Sequence, residues 1–475
     1  MSRAHTTDDL PLVVGLDGTL IHSDMLFESL LAFLRTRLLQ WWRLPLWLCG
    51  GMTLFRHKLS QAVHVDPAGL PYDRVLLAQI ITQRARGRLI VMATGAPRCV
   101  AERVASHLQL FDRVLASEGS FHMNESDTAD QLVLAYGEKG FDYVGNGRLA
   151  LPLWLSCRTA YCVVHTAFEL ADGRATLPMG SPRGGLAGAL LRAMRPRQWL
   201  KNLLVFVPML SAHVLTLPTL LASMLAFVVF SLCASSAYLL NDALDAHEDR
   251  KHPSKRKRPI AAGTLPLAAA LKSSALLALG GLALAAAVDA WLLLAAAVYF
   301  LGTLAYSLYL KRLLMVDIVV LAMLYTIRLL GGAASTHIRA SFWLLAFSFF
   351  IFLSLALLKR HSELINMQRA GEDKRGGRGY LVNDSGPIGI LGVNSGLLSV
   401  LIFMLYFNTP NVVALYGNPT LLLAIVPLLM FWLGRLWLLS YRGEVNEDPV
   451  LYLTRDPISL TLLGACLLVA ALASI

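Results

Sequence analysis

The chain has 475 residues, of which 56% are hydrophobic and 15% are charged, and its mean hydropathy is +0.57. It is too apolar for an ordinary soluble protein and too long for a membrane bundle alone, so we expect a soluble part and a membrane part. The formal net charge of +11 does not favour nucleic-acid binding, because the basic residues lie beside apolar segments and do not alternate with aromatic residues. Membrane topology and phosphate binding explain this charge better.

The amino-terminal residues bear on the location of the soluble part, and the cysteines bear on its chemistry. The first 20 residues contain no long apolar stretch behind a basic start, so we predict no signal peptide and a cytoplasmic amino-terminal domain. The cysteines show no Cys-x-x-Cys pair and no spacing typical of a zinc site, which favours free, buried thiols. They are Cys49, Cys99, Cys157, Cys162, Cys233 and Cys466.

The first 175 residues have the pattern of an α/β domain. An apolar strand at 12–14 runs into a turn that contains Asp17, and a second strand at 88–93 ends at Thr94 and Gly95 before a predicted helix. In open α/β sheets, strand ends of this kind bind ligands.

Several pieces of this domain resemble the haloacid dehalogenase phosphatase superfamily. They are Leu16-Asp17-Gly18-Thr19-Leu20, Thr94-Gly95, Lys139, and the segment 143–147 that leads to 151–154. The resemblance implies a Rossmann-like fold in which Asp17, Thr94 and Lys139 either bind phosphate or keep structural roles.

Two positions depart from that family. Its aspartate nucleophile stands two residues before Asp17, where this chain has Gly15, and its late Mg²⁺-binding carboxylates are replaced by Asn146 and, in a less secure alignment, Ala150. A glycine cannot accept a phosphoryl group, and an amide is a poor Mg²⁺ ligand. We therefore predict a catalytically inactive, phosphatase-like domain.

The apolar segment 38–55 lies between the two strands and is at the short limit for spanning a membrane. Its tryptophans are flanked by Arg35, Arg37, Arg43, Arg56 and Lys58. A helical cap on the membrane surface or on the membrane domain fits this pattern, and a buried helical cap fits it equally well.

Breaks in the pattern divide the rest of the chain. Glycines and Pro182 at 180–185 mark a boundary, so we predict an α/β domain at 1–175, a linker at 176–194 and an all-α membrane domain at 195–475. The membrane domain begins with a basic and aromatic cluster at 195–202, typical of an interface. About nine apolar segments follow, centred on 203–214, 221–240, 267–288, 291–310, 314–334, 342–358, 388–407, 421–439 and 458–475.

The connecting loops alternate in charge. Those after the second, fourth and sixth segments carry Arg250 to Arg258, Lys311, Arg312, Lys359, Arg360, Arg369, Lys374, Arg375 and Arg378. The intervening loops hold little that is basic beyond Arg339. The positive-inside rule then predicts a multi-pass protein of the inner (plasma) membrane whose basic loops and α/β domain are cytoplasmic.

An acidic run at 241–249 continues directly out of the apolar segment 221–240. On a helix, Asn241, Asp245 and Asp249 would stack on one face, with Asp242 beside them. Carboxylates at such a position are costly unless they meet water, a metal or a partner. Mg²⁺ commonly binds through one or two carboxylates plus substrate phosphates, so the run predicts a diphosphate substrate. Charges that merely mark the cytoplasmic end of a span are the alternative.

Basic residues nearby would meet the remaining phosphate charge. Lys255 and Arg258 follow the acidic run within one or two turns. Further along, Arg328 lies inside an apolar segment and needs a partner, for which Asp317 is a candidate. The other polar residues at segment ends are Tyr306, Lys311, Lys359, Arg360 and Glu363, for which helix capping or snorkelling is the alternative.

The second half of the chain resembles the UbiA superfamily of intramembrane prenyltransferases, and within it the decaprenyl-phosphate phosphoribosyltransferases. The resemblance rests on the Asn-Asp-x-x-Asp-x-x-x-Asp motif and on Asp317, and it covers the membrane region nearly end to end. The other matching residues are 195–202, 252–263, 306–311, Lys359-Arg360 with Glu363, 447–449 and 455–456.

The resemblance implies transfer of 5-phosphoribose from 5-phosphoribosyl diphosphate to a polyprenyl phosphate. Mg²⁺ held by Asn241, Asp245 and Asp249 would bind the diphosphate, and Asp242, Asp245, Asp249 and Asp317 are the expected catalytic residues. Because the acceptor is already an anion, no general base is required. The expected substrate-binding residues are Lys201, Asn202, Lys255, Arg258, Tyr306, Lys311, Arg328, Lys359, Arg360 and Glu363.

Other functions remain open at this point. The same motif serves enzymes that alkylate an aromatic ring with a Mg²⁺-bound prenyl diphosphate, although such an acceptor needs fewer cations. A lipid-phosphate transporter or scaffold is a non-enzymatic alternative, and the α/β domain could remove a 5-phosphate, support folding or form homo-oligomer contacts.

Overall fold

The protein is described by a computed structural model, which covers residues 10–118, 123–147, 150–163, 169–181, 184–371, 379–407, 409–413, 415–445 and 448–474. The chain divides into two compact units. The first unit is Met1–Met194 with Tyr238–Ser273, and the second unit is Arg195–Ala237 with Ser274–Ile475. The acidic run therefore groups with the amino-terminal part.

The first unit contains a sheet of six parallel strands in the order β3-β2-β1-β4-β5-β6. Parallel strands bring their carboxyl ends to one edge, so the ends of β1 and β2 are neighbours there, with Gly15 paired to Ala93. The strands are β1 Leu12–Gly15, β2 Ile90–Pro97, β3 Arg113–Ser117, β4 Asp142–Gly145, β5 Ala160–Cys162 and β6 Leu177–Pro178.

Helices cover both faces of this sheet. Leu12 and Val14 of β1 belong to one buried apolar cluster and Val13 to another, because successive residues of a strand point to opposite faces. The helices of the amino-terminal part are α1 Met25–Thr36, α2 Arg43–Cys49, α3 Met52–Ala62, α4 Arg74–Ala85, α5 Arg98–Leu108, α6 Glu125–Tyr136, α7 Leu151–Ser156 and α8 Leu186–Met194.

The remaining helices follow in chain order from residue 207. They are α9 Val207–Ser211, α10 Leu217–Leu244, α11 Ala246–Lys251, α12 Leu267–Val288, α13 Ala290–Leu308, α14 Val316–Thr336, α15 Phe342–Ala370, α16 Ser385–Phe407, α17 Pro410–Val413, α18 Ile425–Tyr441, α19 Pro449–Leu453 and α20 Pro457–Ala473.

Seven helical stretches within the described residues are long and apolar enough to cross a membrane. They are Leu217–Leu244, Leu267–Val288, Ala290–Leu308, Val316–Thr336, Phe342–Ala370, Val382–Phe407 and Pro419–Tyr441. The expectation of an all-α membrane part is confirmed, and the expected number of about nine spans is wrong for the described chain.

The two missing spans have physical reasons. The apolar segment 203–214 is too short to span, and it forms the end of a 3₁₀ helix, Pro196–Phe206, and the five-residue α9, which contains Pro208. The last helix, α20, has 17 residues and is at the short limit for a span. Apolar content alone does not report these lengths and breaks. The predicted basic residues Lys374, Arg375 and Arg378 lie outside the described residues.

Close helix packing in the second unit depends on small residues. A Cβ added at Gly392 of α16 would come within 2.1 Å of the Trp437 ring of α18, so this approach requires glycine. The Trp437 indole N–H donates to the Ser354 hydroxyl at 3.2 Å. The buried tryptophan thus joins α15, α16 and α18.

Segment 38–55 is not a buried cap. It forms a 3₁₀ turn, α2 and the start of α3, and most of its large apolar side chains are exposed.

The six cysteines are present as thiols, but only Cys157, Cys162 and Cys233 are buried, whereas Cys49 and Cys99 are exposed.

A buried ion pair secures the start of β4. The Asp142 carboxylate, 1% exposed, is ion-paired with Arg88 and with Arg158, whose Nη2 lies 2.8 Å away, and it accepts from the Thr159 amide at 3.0 Å. Burial alone would raise the pKa of Asp142, but the two guanidinium groups and the Thr159 bond outweigh it and lower the pKa.

We expect Asp142→Asn to destabilise the first unit by about 3–5 kcal/mol, because it leaves the Arg88 guanidinium buried without its carboxylate. The apparent unfolding temperature of the full chain in detergent measures the effect. Glu102→Gln is the control, since Glu102 pairs with Arg98 at the surface, and its unfolding temperature should match the wild type. Equal unfolding temperatures for all three proteins would contradict the structural role of Asp142.

Candidate functional site

The acidic run lies where α10 gives way to α11. The helix assignment breaks at Asp245, but the Asp245 amide donates to the Asn241 carbonyl at 2.9 Å and the Asp249 amide to the Asp245 carbonyl at 2.8 Å. The helical turns therefore continue, and the three residues follow one another at intervals of one turn.

Two carboxylates of the run share one guanidinium. Arg258 Nη1 lies 3.1 Å from Asp242 Oδ1 and 2.6 Å from Asp249 Oδ2, and Lys255 Nζ lies 3.9 Å from Asp249 Oδ1. Asp242 is 2% exposed and Asp249 3%. Burial raises the pKa of Asp249, while Arg258 and Lys255 oppose this rise. A further cation would stabilise the ionised pair.

This arrangement fits a metal that takes part of its coordination from a substrate. Within the described ranges, no three His, Cys, Asp or Glu side chains converge closely enough to hold a metal by themselves. Mg²⁺ does not require such a cage, because it commonly keeps waters and uses one or two carboxylates plus phosphate oxygens. Asp242 and Asp249, with Asn241 and Asp245 on neighbouring turns, supply oxygen ligands of that kind.

In the second unit, Asp317 pairs with Arg360. Arg360 Nη2 lies 2.6 Å from Asp317 Oδ2, and the Tyr380 hydroxyl donates to Asp317 Oδ1 at 2.5 Å. Arg360 also pairs with Glu363 and lies over the Tyr380 ring. Asp317 is fully buried and Arg360 is 2% exposed, so the cluster ties α14 to α15.

The predicted partnership of Arg328 with Asp317 is wrong. Arg328 Nε donates to Asn202 Oδ1 at 2.8 Å and Nη2 to the Tyr299 hydroxyl at 2.9 Å. Asn202 in turn donates to the Ser231 hydroxyl at 3.0 Å. A separation of eleven residues places positions 317 and 328 three turns apart on α14, and Arg328 reaches neighbouring helices instead.

Two lysines share one carboxylate oxygen elsewhere in the second unit. Asp448 Oδ2 accepts from Lys201 Nζ at 2.8 Å and from Lys359 Nζ at 3.1 Å. Burial by itself would raise the pKa of Asp448, but the ammonium groups of Lys359 and Lys201 outweigh it and hold this pKa well below its usual range. The carboxylate therefore stays ionised between the two ammonium groups.

The other predicted residues of the second unit lie at helix ends. Tyr306 is near the end of α13, and Lys311 is in the 3₁₀ turn Leu310–Arg312 that precedes α14. Sequence reasoning did not select Asp448, Tyr380 or Tyr299 as functional residues. The acidic pair before Pro449 was a usable signal for Asp448; the tyrosines are revealed only by tertiary packing.

The carboxyl edge of the first unit's sheet opens into a cavity of about 470 Å³. Gly15, Asp17, Thr94 and Asn146 all line it. Lys139 does not, because its ammonium group donates to the Leu155 carbonyl and lies 3.5 Å from Asp172. Four of the five predicted phosphatase-like positions therefore meet at one cavity.

Hydroxyl groups surround the position where a nucleophile would stand. A Cβ added at Gly15 would lie 3.1 Å from Thr19 Oγ1 and 3.1 Å from the Tyr143 hydroxyl. Asp17 accepts from the Met25 amide at 2.8 Å and from Thr94 Oγ1 at 3.3 Å. The cavity holds polar groups, but Gly15 offers no atom that could attack a phosphate.

Comparison with known proteins identifies the family. Residues 203–455 match the model of the UbiA prenyltransferase family. The uncharacterized protein y4nM of Sinorhizobium fredii is 34% identical over 459 residues, which cover 95% of this chain and 88% of that protein. Nodulation protein NoeC of Azorhizobium caulinodans is 34% identical over 281 residues, 58% of this chain and 90% of NoeC.

A relative with an activity in its name is the decaprenyl-phosphate phosphoribosyltransferase of Mycolicibacterium smegmatis. It is 40% identical over 199 residues, which cover 41% of this chain and 63% of the relative. The chain belongs to the UbiA prenyltransferase family, so the predictions of a membrane transferase of this family are confirmed, with homology to the phosphoribosyltransferases in the carboxyl-terminal half.

Asp17, which lines this cavity, makes the stability of the fold depend on pH. Burial raises the pKa of Asp17 from 3.8 to about 7, and the charge of Asp24 adds to the rise. Because folding raises this pKa, the protonated carboxyl group contributes to the stability of the fold. The contribution is complete below the ordinary pKa of 3.8 and is lost as the pH rises through about 7. We expect the unfolding temperature of the full chain to fall across this window and Asp17→Asn to flatten the fall.

A pH series of thermal unfolding scans measures this slope. Asp172→Asn is the control, because Asp172 is exposed and its bonds to Arg174 lower its pKa to about 2, below the window. An unchanged slope in Asp17→Asn would show that another group is responsible.

Proposed function

We propose that the chain transfers 5-phosphoribose from 5-phosphoribosyl diphosphate to a polyprenyl phosphate at the cytoplasmic face of the inner membrane, releasing diphosphate. The similarity to decaprenyl-phosphate phosphoribosyltransferase supports this substrate pair. The observation that carries the proposal is the convergence of two lysine ammonium groups, Lys201 and Lys359, on one carboxylate oxygen, an arrangement suited to a phosphate. Donor and acceptor both bring phosphate groups, which an aromatic acceptor would not.

The donor's diphosphate is assigned to the acidic run. Asn241, Asp245 and Asp249, with Asp242 beside them, would hold Mg²⁺, which would neutralise diphosphate charge as the bond to ribose C1 breaks. The electron pair of that bond leaves with the diphosphate. Arg258, which lies between Asp242 and Asp249, is placed to offset the charge that develops there.

The phosphate of a substrate is assigned to Lys201 and Lys359. They converge on the single oxygen Oδ2 of Asp448, so a phosphate oxygen bound in its place would be met by two ammonium groups. A polyprenyl phosphate oxygen is already an anion and forms the new bond to C1 without a general base. Lys201 and Lys359 therefore position an anion and do not have to move a proton.

Other predicted substrate residues are assigned to the framework of the second unit. Arg328 is 5% exposed, and its Nε, Nη1 and Nη2 donate to Asn202, Leu324 and Tyr299. Arg360 is held by Asp317 and Glu363. Residues that are buried and bonded in this way position helices, and to bind a substrate they would first have to give up these bonds.

The first unit is assigned a haloacid dehalogenase-like fold without phosphatase activity. Its parallel sheet and the meeting of Gly15, Asp17, Thr94 and Asn146 at one cavity support this assignment. Removal of the product's 5-phosphate by this domain would need a nucleophile at position 15. We expect no such activity in the full chain.

Membranes containing the full chain, given radiolabelled 5-phosphoribosyl diphosphate and a polyprenyl phosphate, should incorporate label into lipid. Chelation of divalent cations should abolish incorporation, and Asp245→Asn or Asp249→Asn should lower the turnover by about 10²-fold or more. Asp289→Asn is the matched control, because Asp289 caps α13 and lies outside the acidic run.

Each contrary result points to a different function. Prenyl transfer to a phenol without label in lipid would establish the aromatic prenyltransferase. Full function in Asp245→Asn would favour a transporter or scaffold. Loss of the lipid's 5-phosphate in the presence of Mg²⁺ would show that the phosphatase-like domain is active.

A further inference from the structure

The first unit exposes a patch of large apolar side chains on the 3₁₀ turn, α2 and the start of α3. Leu39 is 91% exposed, and Trp41 and Leu46 are each 61% exposed. Soluble surfaces rarely leave such residues together in water, so a patch of this kind indicates a partner. We call it the α2 face; its residues are Leu39, Trp41, Trp42, Leu46, Leu48 and Met52.

The α2 face belongs to a packed helix. On the other side of α2, Leu44 and Trp47 pack on the cluster of Phe33, Phe55 and Leu59, and the Trp47 and Phe33 rings meet edge to face at 5.4 Å. The outer face is therefore held in place, and it can meet a partner without unfolding α2.

The α2 segment itself carries charge of one sign. Residues 35–58 contain no Asp or Glu and include Arg35, Arg37, Arg43 and Lys58, while Arg56 lines the cavity that contains Asp17. Arg35 is paired with Glu248 at 3.3 Å, and the Arg43 guanidinium lies over the Trp42 ring at 5.4 Å. Tryptophan and leucine flanked by arginine and lysine are typical of surfaces that enter the head-group layer of an anionic membrane.

We propose that the α2 face docks on anionic lipid. The chain is an integral membrane protein, so a bilayer is always present, and lipid phosphates complement the cations around the apolar side chains. A second copy is a poorer occupant, because a symmetric contact would bring two sets of these cations together. The side chains would enter the boundary between head groups and acyl chains by about 5–10 Å.

Native Cys49, exposed at the end of α2, is a built-in reporter for this proposal. In full-length Cys99→Ser/Cys466→Ser protein, an NBD fluorophore on Cys49 is followed in vesicles of phosphatidylcholine with phosphatidylglycerol. We expect a blue shift and quenching by spin-labelled lipid. Leu46→Asp should remove most of both effects, because it places a charge at the centre of the apolar face.

The matched control carries the fluorophore on α6. Leu134 is 90% exposed, and Leu134→Cys in the Cys49→Ser/Cys99→Ser/Cys466→Ser protein should be quenched by aqueous iodide and not by lipid. Iodide quenching of the Cys49 label, without lipid quenching, would overturn the proposal. Self-quenching that depends on protein concentration would also overturn it, since a second copy would then occupy the α2 face.

A separate observation in the first unit concerns Arg250, which directly follows Asp249. Its Nη2 and Nη1 donate to Glu28 Oε1 and Oε2 at 2.7 and 3.2 Å, and Glu28 Oε1 also accepts from the Ser23 hydroxyl at 2.6 Å. The two charged side chains are 8% and 5% exposed. This is a buried, bidentate ion pair between α11 and α1, the helix that follows β1.

Arg250 also holds the far end of the same segment. Its Nε donates to the Ala261 carbonyl at 3.3 Å and its Nη1 to the Gly69 carbonyl at 3.1 Å. The residues between 250 and 261 include Lys255 and Arg258, the cations that contact Asp249. Arg250 thus closes the loop that carries them, and Glu28 fixes Arg250.

We infer that Glu28 is a positioning residue for the cations of the acidic run, so that the phosphatase-like domain sets the geometry of the diphosphate site. This inference rests on the diphosphate site of the proposed function. The domain would then contribute to transfer without any chemistry of its own. Loss of the Glu28 charge would leave Arg250 buried and unbalanced and would release the loop.

Hydrogen exchange of ligand-free, full-length protein tests the positioning directly. In Glu28→Gln, amides at 249–262 should exchange faster than in the wild type. Glu102→Gln is the matched control, because it makes the same substitution at a surface ion pair of the same unit, and it should leave this segment unchanged. Equal exchange in wild type and Glu28→Gln, or equal acceleration in both variants, would overturn the inference.

Binding of Mg²⁺ with inorganic diphosphate gives the functional readout. We expect Glu28→Gln to weaken binding by about tenfold or more, and Glu102→Gln to bind as the wild type does. If Glu28→Gln folds poorly, the double variant Glu28→Met/Arg250→Met separates folding from binding. Its apolar pair should restore the thermal stability but not the affinity for diphosphate. Wild-type affinity in this double variant would overturn the inference. A wild type that binds no diphosphate would refute the proposed function, and the exchange experiment would still decide the role of Glu28.

Discussion

Two buried carboxylates at the end of an apolar helix are the constraint around which the first unit's functional segment is arranged. Asp242 and Asp249 cannot remain ionised at 2% and 3% exposure without a cation, and Arg258 returns along the chain to supply one. The loop that carries Arg258 is held in turn by Arg250, which pairs with Glu28 and donates to the carbonyl groups of Gly69 and Ala261. The charges of the acidic run and the packing of the first unit are therefore one network.

The cations of the second unit differ in how they are hydrogen-bonded. Arg328 is surrounded by neutral acceptors and aromatic rings, and Arg360 is shared between two carboxylates. Lys201 and Lys359 instead converge on one carboxylate oxygen. Charged side chains in membrane proteins are largely confined to places where they have a function, and the two ammonium groups of this pair meet at a single oxygen atom.

The sequence was informative where chemistry repeats at a local spacing. The turn-by-turn succession of Asn241, Asp245 and Asp249 and the strand before Asp17 are local properties, and the structure contains them. The strand predicted to end at Thr94 is also present, but it continues to Pro97. Pairings between distant elements were not predictable: Asp317 with Arg360, Arg328 with Asn202, and Glu28 with Arg250 are separated by 43, 126 and 222 residues. The predicted span at 203–214 failed because apolar content does not report helix length.

The surroundings of Gly15 bear on how this domain can evolve. An aspartate at that position would press on the hydroxyls of Thr19 and Tyr143, each 3.1 Å from its Cβ, and would still lack a carboxylate at position 146. Hydrolysis with an aspartate nucleophile at position 15 is thus more than one substitution away. The space beside Gly15 is shaped by the packing of Thr19 and Tyr143, and a side chain added there would require both hydroxyl groups to move.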